Sequence, residues 1–302
     1  MAKSKKSSKK TNSSSKAEKV EKDKTVKTEK VEKSEKKTEK KEKGFFGKLF
    51  ARKFDESENI LTIFKSKKIY GAILGEVLGT MILTVVLLTL GVYQPLYLLF
   101  VFLAVTVAVY AFSGANLNPI VTVGMMVTRR MSAIRGVLYL LAQLVGAWFG
   151  LLVLTAFVKG SGSESELPKM AEVADGMFWG VTMLEFFGAT LIGFFFARAL
   201  QYKRSVFTFA AVVGGGVMIA FVAVYLLSYN YFELTDNFIL NPAVALMYQI
   251  LPTGAEGVGE LLGKVALALL TYVIFPVIGG AVGFLVADSA SILSEEEVKA
   301  IK

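Results

Sequence analysis

The chain has 302 residues, of which 54% are hydrophobic and 23 are phenylalanine, with a mean hydropathy of +0.54. That is far too apolar for a soluble domain of this size and indicates a polytopic membrane protein. It contains no cysteine and no histidine, which excludes disulfides, thiolate or imidazole metal sites, and catalysis by a cysteine nucleophile or histidine base. The net charge of +9 belongs to the N-terminal stretch alone: residues 1–43 carry 17 lysines against 8 acids, and the remainder is neutral. The body carries no net positive charge, and no nucleic-acid partner is expected.

Residues 1–43 are almost entirely Lys, Glu, Ser and Thr. Such a segment cannot bury enough apolar surface to offset its ordering entropy, and it reads as disordered. It has no secretory-signal pattern. Attraction to anionic lipid is diluted by the interleaved glutamates, so a solvated tail is the preferred reading. Residues 44–68 follow as an interfacial segment. Phe46, Leu49, Phe50 and Phe54 approach helical spacing, with Lys48, Arg52 and Lys53 between them, as in a helix lying on a bilayer surface.

Hydropathy predicts six spans, at about 69–90, 95–112, 135–158, 178–199, 206–228 and 261–287. Together they make a channel domain over 69–287, with residues 288–302 as a C-terminal tail. Arg129, Arg130 and Arg135, and again Arg198, Lys203 and Arg204, mark cytoplasmic ends under the positive-inside rule. The connection after span three is acidic, with Glu164, Glu166, Glu172 and Asp175 against Lys159 and Lys169. Both termini are expected on the cytoplasmic side of the cell membrane.

Two Asn-Pro turns interrupt the apolar sequence, Asn118-Pro119-Ile120 after span two and Asn241-Pro242-Ala243 after span five. Irregular backbone at membrane depth is tolerated only where protein or a water-filled cavity surrounds it. Proline suits the first helical position, so Asn118 and Asn241 read as N-caps of half-helices at roughly 118–127 and 241–249. The preceding residues, Gly114, Ala115, Asn116 and Leu117 in one turn and Phe238, Ile239 and Leu240 in the other, then offer backbone carbonyls.

The pattern repeats. Span one contains Glu76-Val77-Leu78-Gly79-Thr80 and span four Glu185-Phe186-Phe187-Gly188-Ala189-Thr190. Each half (about 69–158 and 178–287) has three spans, an odd number, so the halves must be inverted and the two turns enter from opposite faces. Their opposed positive helix ends disfavour cations. Donors and carbonyls along an apolar wall suit small neutral hydroxylated molecules. Glu76 and Glu185, the acids well inside spans, read as structural acceptors for the backbone of the turns rather than as a proton relay. The glycines of spans three, five and six read as close helix crossings, with Gly214 to Gly216 alternatively widening a lumen.

Over roughly residues 69–287 the sequence resembles the major intrinsic protein family, the aquaporins and glycerol facilitators. Ser113 to Thr122 is close to the family's first signature, Tyr139 to Ala147 looks like its third span, and Phe275 to Gly280 resembles its sixth. The resemblance implies an all-α membrane fold of six transmembrane helices and two re-entrant half-helices in inverted repeats. It also implies a homotetramer with one pore per subunit for glycerol, related small neutral solutes and water, and no cofactor. Four departures stand out. Asn116 replaces the family's usual histidine, Ile120 its alanine, and Val244 the arginine of the outer filter. Ala245 also stands where glycerol-type members often carry aspartate. The filter is therefore expected to be wider and more apolar, with Phe100 or Val101 from span two and Leu227 or Ser228 from span five as its other walls.

Overall fold

The computed structural model describes residues 44–50, 60–90, 94–161, 177–202, 205–232, 238–248 and 257–301. The basic tail, residues 51–59 with Arg52, Lys53 and Phe54, the acidic connection of 162–176, and Lys203 and Arg204 lie outside them. The chain divides after Lys48. Helix α1 (Phe45–Leu49) covers that boundary and exposes Phe46 almost three-quarters to its surroundings.

The larger unit opens with α2 (Ile60–Lys65) and the first span, α3 (Lys67–Leu90). The other long helices are α4 (Pro95–Ser113), α6 (Ala133–Gly160), α7 (Phe178–Ala199) and α8 (Val206–Tyr231). Short helices α5 (Pro119–Val127) and α9 (Pro242–Tyr248) are the two half-helices. The sixth span runs through α10 (Val258–Leu269), a π-helical turn at Leu270–Ile274, and α11 (Phe275–Ile301). Six of these stretches are long and apolar enough to cross a membrane.

Local chemistry sets the ends. Pro95 occupies the first turn of α4, and Gly114 ends that helix in a left-handed conformation at φ +82°, which glycine adopts without a steric penalty. Ser132 and Ser205 cap α6 and α8 by accepting from the amides of Arg135 and Thr208, each at 3.3 Å. The π turn has a local cause as well. Pro276 carries no N–H to pair with a carbonyl of the preceding turn, and there the Phe275 amide reaches back five residues to the Leu270 carbonyl. Residues 288–301, expected as a tail, continue α11 as helix. Asp288 is buried because Arg130 closes on it, and Ser291 accepts from Arg198 and Gln201.

The inverted repeat extends into the packing. Within the first half α3 packs on α6, within the second α7 packs on α11, and α4 lies on α8 across the halves. A Cβ on Gly146 or Gly150 of α6 would strike the backbone carbonyls of Val77 and Met81. One on Gly279 or Gly283 of α11 would strike those of Phe186 and Thr190. Those carbonyls sit one and five residues beyond Glu76 in one half and Glu185 in the other. Glycine thus permits the same backbone-on-backbone crossing twice. In α8 the glycines divide their roles: Gly214 abuts the Leu99 carbonyl and Gly216 the Phe195 side chain, while Gly215 faces open space.

Candidate functional site: two half-helices meeting cap to cap

The first turn leaves α4 at Gly114 and passes through Ala115 and Leu117, both left-handed at φ +57°. That conformation is costly for residues with a Cβ, by about 1–2 kcal/mol each, so something must hold it. Glu76 does. Its carboxylate accepts from the amides of Asn116 (3.0 Å) and Leu117 (2.7 Å), which have no helix or sheet partner. Gln143 of α6 braces the same carboxylate at 2.7 Å and donates to Thr122 Oγ1 at 2.8 Å. Tyr139 Oη donates to the Ser113 carbonyl at 2.9 Å.

The second turn repeats the arrangement. Leu240 is left-handed at φ +51°, and Glu185 accepts from the amides of Ile239 (2.5 Å) and Leu240 (3.2 Å). Both carboxylates are fully buried. The glycine three residues after each glutamate completes the motif. A Cβ on Gly79 would occupy the place of the Leu117 side chain, and one on Gly188 that of Leu240. Glu-x-x-Gly is therefore a single device: the acid pins the turn's amides and the glycine admits its leucine.

The asparagines join the turns. Asn118 Oδ1 caps α5 by accepting from the Ile120 amide at 2.9 Å, while its Nδ2 donates to the Leu240 carbonyl at 2.8 Å. Asn241 caps α9 through the Ala243 amide at 3.1 Å and donates to the Leu117 carbonyl at 3.3 Å. Each amide has two N–H donors, so each crossing bond leaves one for other partners. The two half-helices thus face each other with their N-termini, and Pro119 and Pro242 lie buried at their first positions.

Beside this junction lies a narrow cavity. Span α4 contributes Phe102 and Thr106, the first turn Ala115, Asn116, Leu117 and Asn118, and α5 Val121. Ile192 and Phe196 of α7 and Val213 and Val217 of α8 close it. Its free volume for the centre of a water-sized sphere is about 20 Å³, where about 10–15 Å³ is enough for one water.

The filter candidates are placed unevenly. Val244 is fully buried on α9, and Phe238 packs near Phe221 with ring centroids 6.4 Å apart. Ser228 is fully buried, and Leu227 packs half-buried against the core. Val101 is likewise half-buried against the core, but Phe100 is 58% exposed. Two residues along a helix is a rotation of about 200°, so Phe100 points away from the cavity face that Phe102 occupies. The buried face of α4 is instead Leu98, Phe102, Val105, Thr106 and Val109. Because α4 is apolar around its whole circumference, hydropathy carries no phase; the isolated threonine at 106 is the sequence signal that marks the face.

A family model described as "Major intrinsic protein" matches residues 63–287, about three-quarters of the chain. The chain belongs to the major intrinsic protein family. Curated members similar to it include "Aquaporin-1" from Bos taurus, 37% identical over 81 residues, or 27% of this chain and 28% of the relative. "Glycerol uptake facilitator protein-like 6" from Lactiplantibacillus plantarum is 38% identical over 68 residues, 22% of this chain and 32% of the relative. The chain therefore spans only about a third or less of the length of these relatives. Among solved structures, that of the aquaglyceroporin from Plasmodium falciparum aligns at 21% identity with a TM-score of 0.49, covering 73% of this chain and 94% of the other.

Proposed function

We propose that this member of the major intrinsic protein family is a passive channel, not an enzyme, for small neutral solutes, chiefly glycerol and related polyols together with water. The observation that carries the proposal is the reciprocal pair of bonds from Asn118 to the Leu240 carbonyl and from Asn241 to the Leu117 carbonyl. It sets two positive half-helix ends against one another beside an uncharged cavity. Such an arrangement repels cations while offering amide donors to hydroxyl groups. Coupling to a proton gradient would require a carboxylate available to the lumen, and the fold engages both Glu76 and Glu185 with backbone amides of the turns.

In this reading the buried Val244, where family members usually carry arginine, joins Phe238 and the α8 side chains in an apolar outer aperture, and exclusion of charge falls to the half-helices. Similarity to a glycerol uptake facilitator-like protein supports polyols. Homotetrameric assembly and a cell-membrane location with both termini cytoplasmic belong to the same proposal. Stopped-flow measurements on proteoliposomes test it. Glycerol and water permeabilities should exceed those of protein-free vesicles, without saturation and without dependence on a proton gradient. Permeabilities equal to those of empty vesicles would refute it.

A further inference from the structure

Among the described residues, three buried polar side-chain atoms have no hydrogen-bond partner: Thr106 Oγ1, Gln143 Oε1 and Tyr248 Oη. Of these residues, Thr106 lines the cavity at the half-helix junction. It is only 1% exposed, and its neighbours in kind make it anomalous. A threonine in a membrane helix ordinarily satisfies its hydroxyl on the carbonyl four residues back. Thr84, Thr155 and Thr190 do so, each at 2.8 Å, as does Thr89 at 2.7 Å. Thr128 forms the same bond at the end of a half-helix. Thr106 does not, although it sits in the middle of an unbroken helix where a carbonyl four residues back exists. A buried hydroxyl is rarely left without a partner unless something else supplies one.

We propose that Thr106 is a solute-binding and specificity-determining residue of the lumen. Its hydroxyl bonds a C–OH group of a small polyol, while Phe196, Ile192, Val213 and Val217 receive the C–H side of the same molecule. The assignment rests on the channel reading above. The lining supports the chemical class. No charged side chain borders the cavity, so nothing there compensates the charge of an ion. A hydroxyl both donates and accepts, which matches a hydroxylated solute whichever way its own O–H points. Asn118 lines the same cavity, and its amide has a second hydrogen beyond the one given to the Leu240 carbonyl. A polyol thus meets the polar side chains of Thr106, Asn116 and Asn118 on an otherwise apolar wall.

The test compares wild type, Thr106→Val and Thr106→Ser in proteoliposomes, measuring glycerol and water permeability on each preparation. Valine keeps the shape of threonine and deletes the hydroxyl; Thr106→Ala takes its place if the valine variant does not fold. Loss of one neutral hydrogen bond to the solute should lower the glycerol-to-water permeability ratio about fivefold, and serine should restore most of it. A merely structural threonine would change yield or melting temperature and leave that ratio alone. If the wild type conducts glycerol and the ratio is the same in all variants, or serine behaves as valine does, the assignment is overturned. A wild type that conducts neither solute overturns the channel reading together with it.

Discussion

At the residue scale, the chemistry of the turns is concentrated in two carboxylates. Glu76 has a side-chain brace in Gln143, whereas the bonds formed by Glu185 run to the amides of Ile239 and Leu240 alone among those described. The left-handed Leu240 therefore depends on one carboxylate more directly than Leu117 does. Glu185→Gln keeps the size of the side chain but replaces one acceptor oxygen with an NH2 group facing a backbone N–H. Hydrogen bonds to a charged acceptor contribute about 1.5–3 kcal/mol, so the variant should lose about 2 kcal/mol of stability, read as a lower thermal midpoint in detergent. An unchanged midpoint would mean that Glu185 does not hold the turn.

At the element scale, one departure from the family signature has a structural counterpart. Ile120, where alanine is usual, is fully buried on α5. A Cβ added to Gly280 of α11 would collide with the Ile120 side chain, so the bulk of one is accommodated by the absence of the other. Overpacking of this kind typically costs about 1–3 kcal/mol. Gly280→Ala should lower the thermal midpoint accordingly, and adding Ile120→Ala should recover part of the loss. Independent, additive effects in the double mutant would show that the two positions do not share space.

The same scale shows what the sequence discloses and what it withholds. The six spans fall within a few residues of the hydropathy boundaries except at the last, and both half-helices begin at the Asn-Pro pairs. Length, apolarity and proline are properties of local sequence. The facing of α4 is not, because a helix apolar on every side has no phase to read; the sequence therefore does not separate the exposed Phe100 from the buried Leu98 and Phe102. The helical run beyond residue 287 was hidden for another reason. Its polar composition reads as a tail until Arg130 and Arg198 are brought to it from distant positions. Glu76 and Glu185 were legible because a repeated acid inside a span demands a partner, and the nearest unsatisfied backbone lies in the turn of the same half.

At the scale of the whole molecule, the inverted halves are tied together at two levels. The asparagines join the N-terminal ends of the half-helices, and Arg130 fastens the far end of α5 to the last span. Its guanidinium grips Asp288 with both nitrogens at 2.8 and 2.5 Å and lies over the Phe284 ring, 5.6 Å from its centroid. The side chains are only 12% and 6% exposed, so added salt should weaken the pair little. Topology alone accounts for an arginine near this end of the membrane; the clamp accounts for this particular one. Removing one partner of a buried pair strands the other charge, at about 3–5 kcal/mol, whereas replacing both with apolar groups is often nearly neutral. Asp288→Ala should therefore destabilise the protein more than the double variant Arg130→Met with Asp288→Ala, and the difference should persist in high salt. A double variant as unstable as the single would mean that the pair contributes attraction in its own right. A single variant with an unchanged thermal midpoint would mean that α5 holds its alignment on Asn241 without the clamp.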